Sequence, residues 1–188
     1  DQVKAMVAAF HGTVDEVIAV AEAEGFEADI HRTEELAIAT NAQQFQRLAP
    51  ELKRLHHWGD HRRWLENEAQ VRARIAIPGA KGALVTSGVA RIQPAKFVRG
   101  LADAVERLGV TIYEATRADE ISKGQVITDQ GRIACGVVLK ATEGYSARLS
   151  GYERDWLPLN SAQIVTKPLP LELWRDIGWT GAELIGDM

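Results

Sequence analysis

The sequence predicts a mixed α/β fold, and three stretches carry that prediction. Residues 3–24 place Val3, Met6 or Val7, Phe10, Val14, Val17 or Ile18, and Ala21 on one face, the spacing of an amphipathic helix. Residues 94–108 do the same with Phe97, Val98, Leu101, Val105 and Leu108. Pro94 sits in that helix's first turn, where its missing N–H costs nothing, and Gly109 follows as the expected left-handed stop, with Val110 folding back on the helix. Then "VTIYEATRADEI" reads as a strand, and "KGQVITDQGRIACGVVL" as two strands joined by an Asp129-Gln130-Gly131 turn and ending in the buried run Val137-Val138-Leu139. Helix, strand, hairpin and buried strand make an α/β unit.

The remaining elements follow in order. Gly12 weakens the middle of the first helix and Gly25 stops it. Residues 28–40 hold one or two short strands. Residues 41–70 read as helical, capped by Asn41 and broken at Pro50 and Gly59. "RARIAIPGAKGALVTSGVARIQP" reads as strand-like runs separated by Pro78, Gly79, Gly82 and Gly88. Near the end, Ser161–Lys167 reads as a strand between prolines, and "LELWRDIGW" as a short helix or turn that packs Trp174 and Trp179.

Composition excludes several classes. The 188 residues suit one or two domains with a real core, and 46% hydrophobic with 26% charged residues describes a globular protein. A net charge of −4 and scattered basic residues argue against nucleic acid as a partner. No apolar run approaches the ~18 residues of a membrane span, so no membrane partner is expected. The single Cys135 rules out an internal disulfide and fits a reducing cytoplasm. The chain opens on Asp-Gln and closes on Gly-Asp-Met beside apolar stretches, so both ends read as cuts through a longer protein.

Few residues point to chemistry by themselves. His57 and His61 stand four apart, as zinc ligands on one helix face do, with Asp60 between them. Gly59 interrupts that helix and no Glu-x-x-His accompanies it, so a solvated helix end is the better reading and no metal is expected. Cys135 has no thiolate-stabilising neighbour in sequence and reads as a small buried residue. Neither a Gly-x-Ser-x-Gly elbow, a Gly-x-x-x-x-Gly-Lys-Ser/Thr loop nor a Gly-x-Gly-x-x-Gly turn occurs in these residues. What stands out is "GVVLKATEGYS", where a core strand exits into a turn almost stripped of bulk. Glu143 is noticeable there, after the apolar run and before a glycine.

Four stretches together resemble the glycine/D-amino-acid oxidase (DAO) family of FAD-dependent oxidoreductases. "IQPAKFVRGLADAVERLGVTIYEATRADEI" is similar to that family's apolar-x-Pro helix and following strand, and "VITDQGRIACGVVLKATEGYS" to its hairpin and strand ending in Ala-Thr. "LPLNSAQIVTKPLP" and "WRDIGW" resemble a branch that includes amine and gamma-glutamylputrescine oxidases. The match is specific from about residue 89 to 188 and vaguer before it.

The resemblance implies the central part of a longer enzyme, without the family's N-terminal glycine-rich turn and its C-terminal segment. It implies part of an FAD/NAD(P)-binding domain of the glutathione-reductase-like type, residues 89–145. This would be interleaved with a substrate domain, residues 1–88 and 146–188, containing a mixed or antiparallel sheet. FAD would lie along the strand ends. Ala118 would meet the adenine side through its backbone. Ala141 and Thr142 would line the nucleotide, Glu143 and Gly144 would follow in the turn, and Lys140 would form a polar rim.

The implied reaction is oxidation of the C–N bond of a small-molecule amine or amino acid, and no residue is assigned as catalytic acid or base. The alternative is a non-catalytic α/β fragment that serves as a binding or structural module. Exposed sheet edges favour pairing with a second copy.

Overall fold

The computed structural model describes residues 1–157, 159 and 161–188. Two compact units emerge: residues 1–110 with 167–188, and residues 111–166.

The first unit is built on a four-stranded mixed sheet in the order β2-β3-β1-β7. Strand β1 (His31–Ala39) pairs antiparallel with β3 (Gly82–Arg91) and parallel with β7 (Leu184–Asp187), while β2 (Arg63–Asn67) pairs antiparallel with β3. The mixed α/β fold expected from the sequence is therefore present, with a mixed sheet in this unit. Alternation along the strands sends side chains to two faces. On one face Leu36, Ile38, Ala83 and Val85 pack with Val71 and Ile75 of the segment following β2, and with Trp64, Ile177 and Trp179. On the other, Ala39 and Leu84 pack with Leu48, Phe45 and Leu52 of helix α2 (Ala42–His57).

Helix starts are set by local chemistry. Asn41 Oδ1 accepts from Gln44 N–H (2.9 Å) while Gln44 Oε1 accepts from Asn41 N–H (3.2 Å), a reciprocal capping box. The same Asn-x-x-Gln arrangement starts α3 (Glu68–Arg74), with Asn67 and Gln70 bonded at 2.9 and 3.0 Å. Pro50 does not break α2: it lies on the exposed side, where the carbonyl it leaves unpaired is open to water. Gly59, with φ 90°, does end the helical stretch.

Three sequence expectations in this unit are corrected. Residues 63–67, read as helix, form β2, because tertiary pairing with β3 overrides local propensity. Arg72–Arg74, read as strand, close α3, and Ile75 and Ile77 enter the core from a loop. The runs on either side of Gly88 are one strand, carrying a bulge where Thr33 pairs with Val89 and Glu34 with Ser87. Gly88 has φ 71°, and a Cβ there would overlap the Arg62 guanidinium, which donates to the Ser87 and Gly88 carbonyls. Helix α1 (Gln2–Ala23) passes through Gly12 unbroken, but only Ile18 and Ala21 of its apolar face are buried. Helix α4 (Pro94–Arg107) has the expected caps. It packs through Gly100, where a Cβ would meet the Phe26 ring, and through Ala104, whereas Val98 and Leu108 are exposed. Helix α5 (Leu171–Ile177) forms as expected, with the Trp174 and Trp179 rings 5.8 Å apart, and the short β7 after it is an element the sequence pattern does not announce.

The second unit is an antiparallel meander, β4 (Ala118–Ser122), β5 (Gln125–Thr128) and β6 (Gly131–Ala134). The hairpin expected over the Asp129-Gln130-Gly131 turn is present, with Thr128 paired to Gly131. Three strand expectations fail here. Residues 110–117 are not strand, and the ladder begins only at Ala118. Val137–Leu139 form no strand, and Val137 and Leu139 are 85% and 89% exposed. Ser161–Lys167 form none either, with Ile164 and Val165 almost fully exposed. An apolar run becomes a buried strand only when neighbours supply ladder bonds and cover both faces. No described strand pairs with these runs. Pro158 and Asn160, within the stretch resembling an amine-oxidase branch, lie outside the described residues.

Candidate functional site

The cofactor residues implied by the resemblance all fall in the second unit. Ala118, half-buried, opens β4 and faces Thr128 across the ladder; the pairing then skips Asp119. Its position is fixed by two bonds beside it, Asp129 N–H to the Arg117 carbonyl (3.0 Å) and Arg117 N–H to the Asp129 carboxylate Oδ1 (3.0 Å). The hydrogen bond from Arg117 Nε to Asp119 Oδ1 (2.7 Å) holds the Arg117 guanidinium's pKa above its ordinary value.

Residues 141–144 lie in a separate turn. Ala141 is exposed, and Thr142 precedes a single 3-10 stretch, Glu143–Arg148. Thr142 Oγ1 lies 2.7 Å from the hydroxyl of buried Ser146, which anchors the turn from within. Glu143 has φ 45°, and its carboxylate accepts from the N–H of half-buried Gly144. Lys140, expected as a polar rim, places Nζ 3.5 Å from the Tyr152 ring centroid in a cation–π contact. Ala118 and the 141–144 turn thus share a unit but are held by separate sets of bonds.

Ala141 and Gly144 are small enough to let a dinucleotide approach the turn, whereas the Glu143 carboxylate, folded back on the Gly144 N–H, would be a like charge to its phosphates. The glycine-rich phosphate turn is not in the 188 residues. The concavity lined by Glu68, Arg72 and residues 75–80, the one within residues 18–32, and the one lined by Asp29, His31 and residues 91–94 all lie in the first unit and do not include Ala118 or residues 141–144.

The histidine stretch is occupied by structural contacts. Helix α2 ends at His57, so His61 does not share its face. The His57 ring meets the Trp58 indole edge to face, and the His61 ring sits 5.1 Å from the His56 ring. Asp60 is buried and faces Arg63 Nε (2.8 Å), Arg62 N–H (3.3 Å) and His11 Nε2 (3.5 Å). Among the described residues, no group of three or more His, Cys, Asp or Glu is placed to hold a metal ion.

Sequence reasoning missed a charge cluster in the first unit. Arg74 reaches Glu34 of β1 (2.6 Å), Glu66 of β2 (2.7 Å) and Glu183 just before β7 (3.6 Å). The indoles of Trp64 and Trp179 donate to Glu66 and Glu183. Burial opposes the Arg74 charge, but hydrogen bonds to Glu34 and Glu66 outweigh it and hold the guanidinium's pKa above its ordinary value. Nothing in local spacing brings residues 34, 66, 74 and 183 together.

The model of the family FAD dependent oxidoreductase (DAO) matches residues 2–186. No curated protein matches the chain. Similar solved structures include L-amino acid deaminase from Proteus myxofaciens in complex with anthranilate (TM-score 0.64, 16% identity, 76% of this chain and 34% of that one). L-proline dehydrogenase from P. horikoshii gives 0.63 at 16% identity, covering 74% and 39%. Glycine oxidase from Bacillus cereus gives 0.61 at 20% identity, covering 82% and 43%. At these identities the likeness is one of fold, and the chain spans 34% to 43% of the length of those three proteins. The family match runs through both units from the first helix to the last strand, and the chain belongs to the DAO family of FAD-dependent oxidoreductases.

Proposed function

We propose that the chain is the central part of an enzyme that oxidises the C–N bond of an amine or amino acid, with FAD as cofactor. The observation that carries this reading is the family match over residues 2–186. The names of the similar structures, glycine oxidase, L-proline dehydrogenase and L-amino acid deaminase, support an amino-acid substrate class. When bound, FAD supplies the acceptor for a hydride from the substrate carbon, leaving an imine that water hydrolyses.

The residues of this chain provide binding and orientation. In this reading residues 89–145 belong to the cofactor domain, and residues 1–88 and 146–188 to the substrate side. Ala118 offers main chain to the adenine side. Ala141, Thr142, Glu143 and Gly144 form the nucleotide-side wall, where the Thr142–Ser146 hydroxyl contact keeps the small-residue turn in place.

The full-length protein containing this chain is expected to purify yellow and to lose its flavin colour when an amine or amino acid is added without oxygen. A colourless protein that binds no added FAD would replace this reading with the non-catalytic module.

A further inference from the structure

Glu143 is the only charged side chain within the turn Ala141–Gly144. Its φ of 45° is a conformation that glycine and asparagine adopt readily and a long side chain does not. The side chain is folded back on its own turn, where Gly144 N–H donates to Glu143 Oε2. Nearby cations are turned elsewhere: Lys140 lies over Tyr152, and the Arg148 guanidinium is 5.7 Å from the Tyr145 ring centroid. No ion pair among the described residues neutralises Glu143.

We propose that Glu143 sets the affinity of this turn for FAD, as an uncompensated carboxylate that the anionic dinucleotide has to displace or tolerate. The inference rests on the reading of residues 141–144 as the nucleotide-side wall. A small-residue turn has no packing need for a glutamate, and the backbone there favours other residue types. Removing the charge removes the like-charge term, which acts over short range and fades as salt screens it.

The test is FAD titration of the full-length apoprotein, followed by flavin fluorescence at low and high ionic strength, for wild type, Glu143→Gln, Glu143→Asn and Glu143→Asp. Both neutral variants are expected to bind about fivefold tighter at low salt, the factor implied by one like-charge pair about 4 Å apart in water. The gap should close at high salt, and Glu143→Asp should behave as wild type. Asparagine suits the left-handed backbone, so that variant keeps the turn even if glutamine disturbs it. Equal affinity of wild type and both neutral variants at every ionic strength overturns the assignment while leaving the wall reading intact. Tightening by Glu143→Asn alone also overturns it, since only backbone preference would then have changed. Failure of all four proteins to bind FAD overturns the wall reading and this inference together.

Discussion

Arg74 lets three carboxylates converge on one side of the first unit's sheet. Glu66 is the least solvated of them, with a side chain 7% exposed and one oxygen, Oε2, without a hydrogen-bond partner. Such a carboxylate depends on the cation beside it, because truncating one partner leaves the other charge buried and uncompensated. Arg74→Met is therefore expected to destabilise the first unit by about 2–3 kcal/mol, below the figure for a fully buried pair because Arg74 keeps 27% of its side chain exposed. Urea unfolding measures it, and a loss under about 0.5 kcal/mol would show that the cluster is only a solvated surface pair. The double variant Arg74→Met/Glu66→Gln should recover part of the loss. Legibility at this scale follows range. Asn41 is readable as a cap because its partner, Gln44, is three residues away, and Asn67 carries the same signal with Gln70. The second is harder to see, because the helical composition of residues 63–70 hides the strand end where the cap begins. Arg74 and its carboxylates lie 8 to 109 positions apart, which no local pattern encodes.

Elements differ in how far periodicity alone could place them. In β1 the two-residue alternation sends Leu36 and Ile38 into one core cluster and Ala37 and Ala39 toward the other, so strand and buried face agree. Helix α4 has equally clear periodicity and correct caps, and Phe97 packs edge-on against Phe26, yet Val98 and the C-cap Leu108 on the same apolar face are 64% and 74% exposed. A 3.6-residue pattern reveals that a helix has an apolar face; what covers that face is a tertiary fact. The two cases separate in a stability measurement. Leu36→Ala removes a side chain with no exposure and should cost about 2–5 kcal/mol. Leu108→Ser in the same chain should stay within about 0.5 kcal/mol. Equal costs for both would mean that the α4 face is packed in solution. The small-residue turn at 141–144 was likewise legible as a departure from a core strand, but the strand before it was not formed, since Val137–Leu139 find no ladder.

For the molecule as a whole, exposed apolar surface and open sheet edges act together. In the first unit β2 and β7 flank the sheet, each with one strand neighbour; in the second, β4 and β6 do the same. Just beyond β6 the main chain runs on through Val137 and Leu139, both more than four-fifths exposed, and Ile164 and Val165 of the same unit are more exposed still. An unpaired edge offers N–H and C=O groups to any extended chain, and an apolar run beside it adds burial as a reward for pairing. Side chains of this kind gain about 1.5–3 kcal/mol each on full burial, which favours association once several are covered together with the ladder bonds of a paired edge. The 188-residue chain by itself is therefore expected to self-associate. Sedimentation velocity over a concentration series should show species larger than the 20.7 kDa monomer, and Val137→Lys with Leu139→Lys should shift them toward monomer. If the unsubstituted chain stays monomeric across the series, residues 136–140 are covered by some arrangement within one chain. If instead the lysine pair leaves the larger species unchanged, the contact runs through another surface, with the β2 and β7 edges of the first unit the next to substitute.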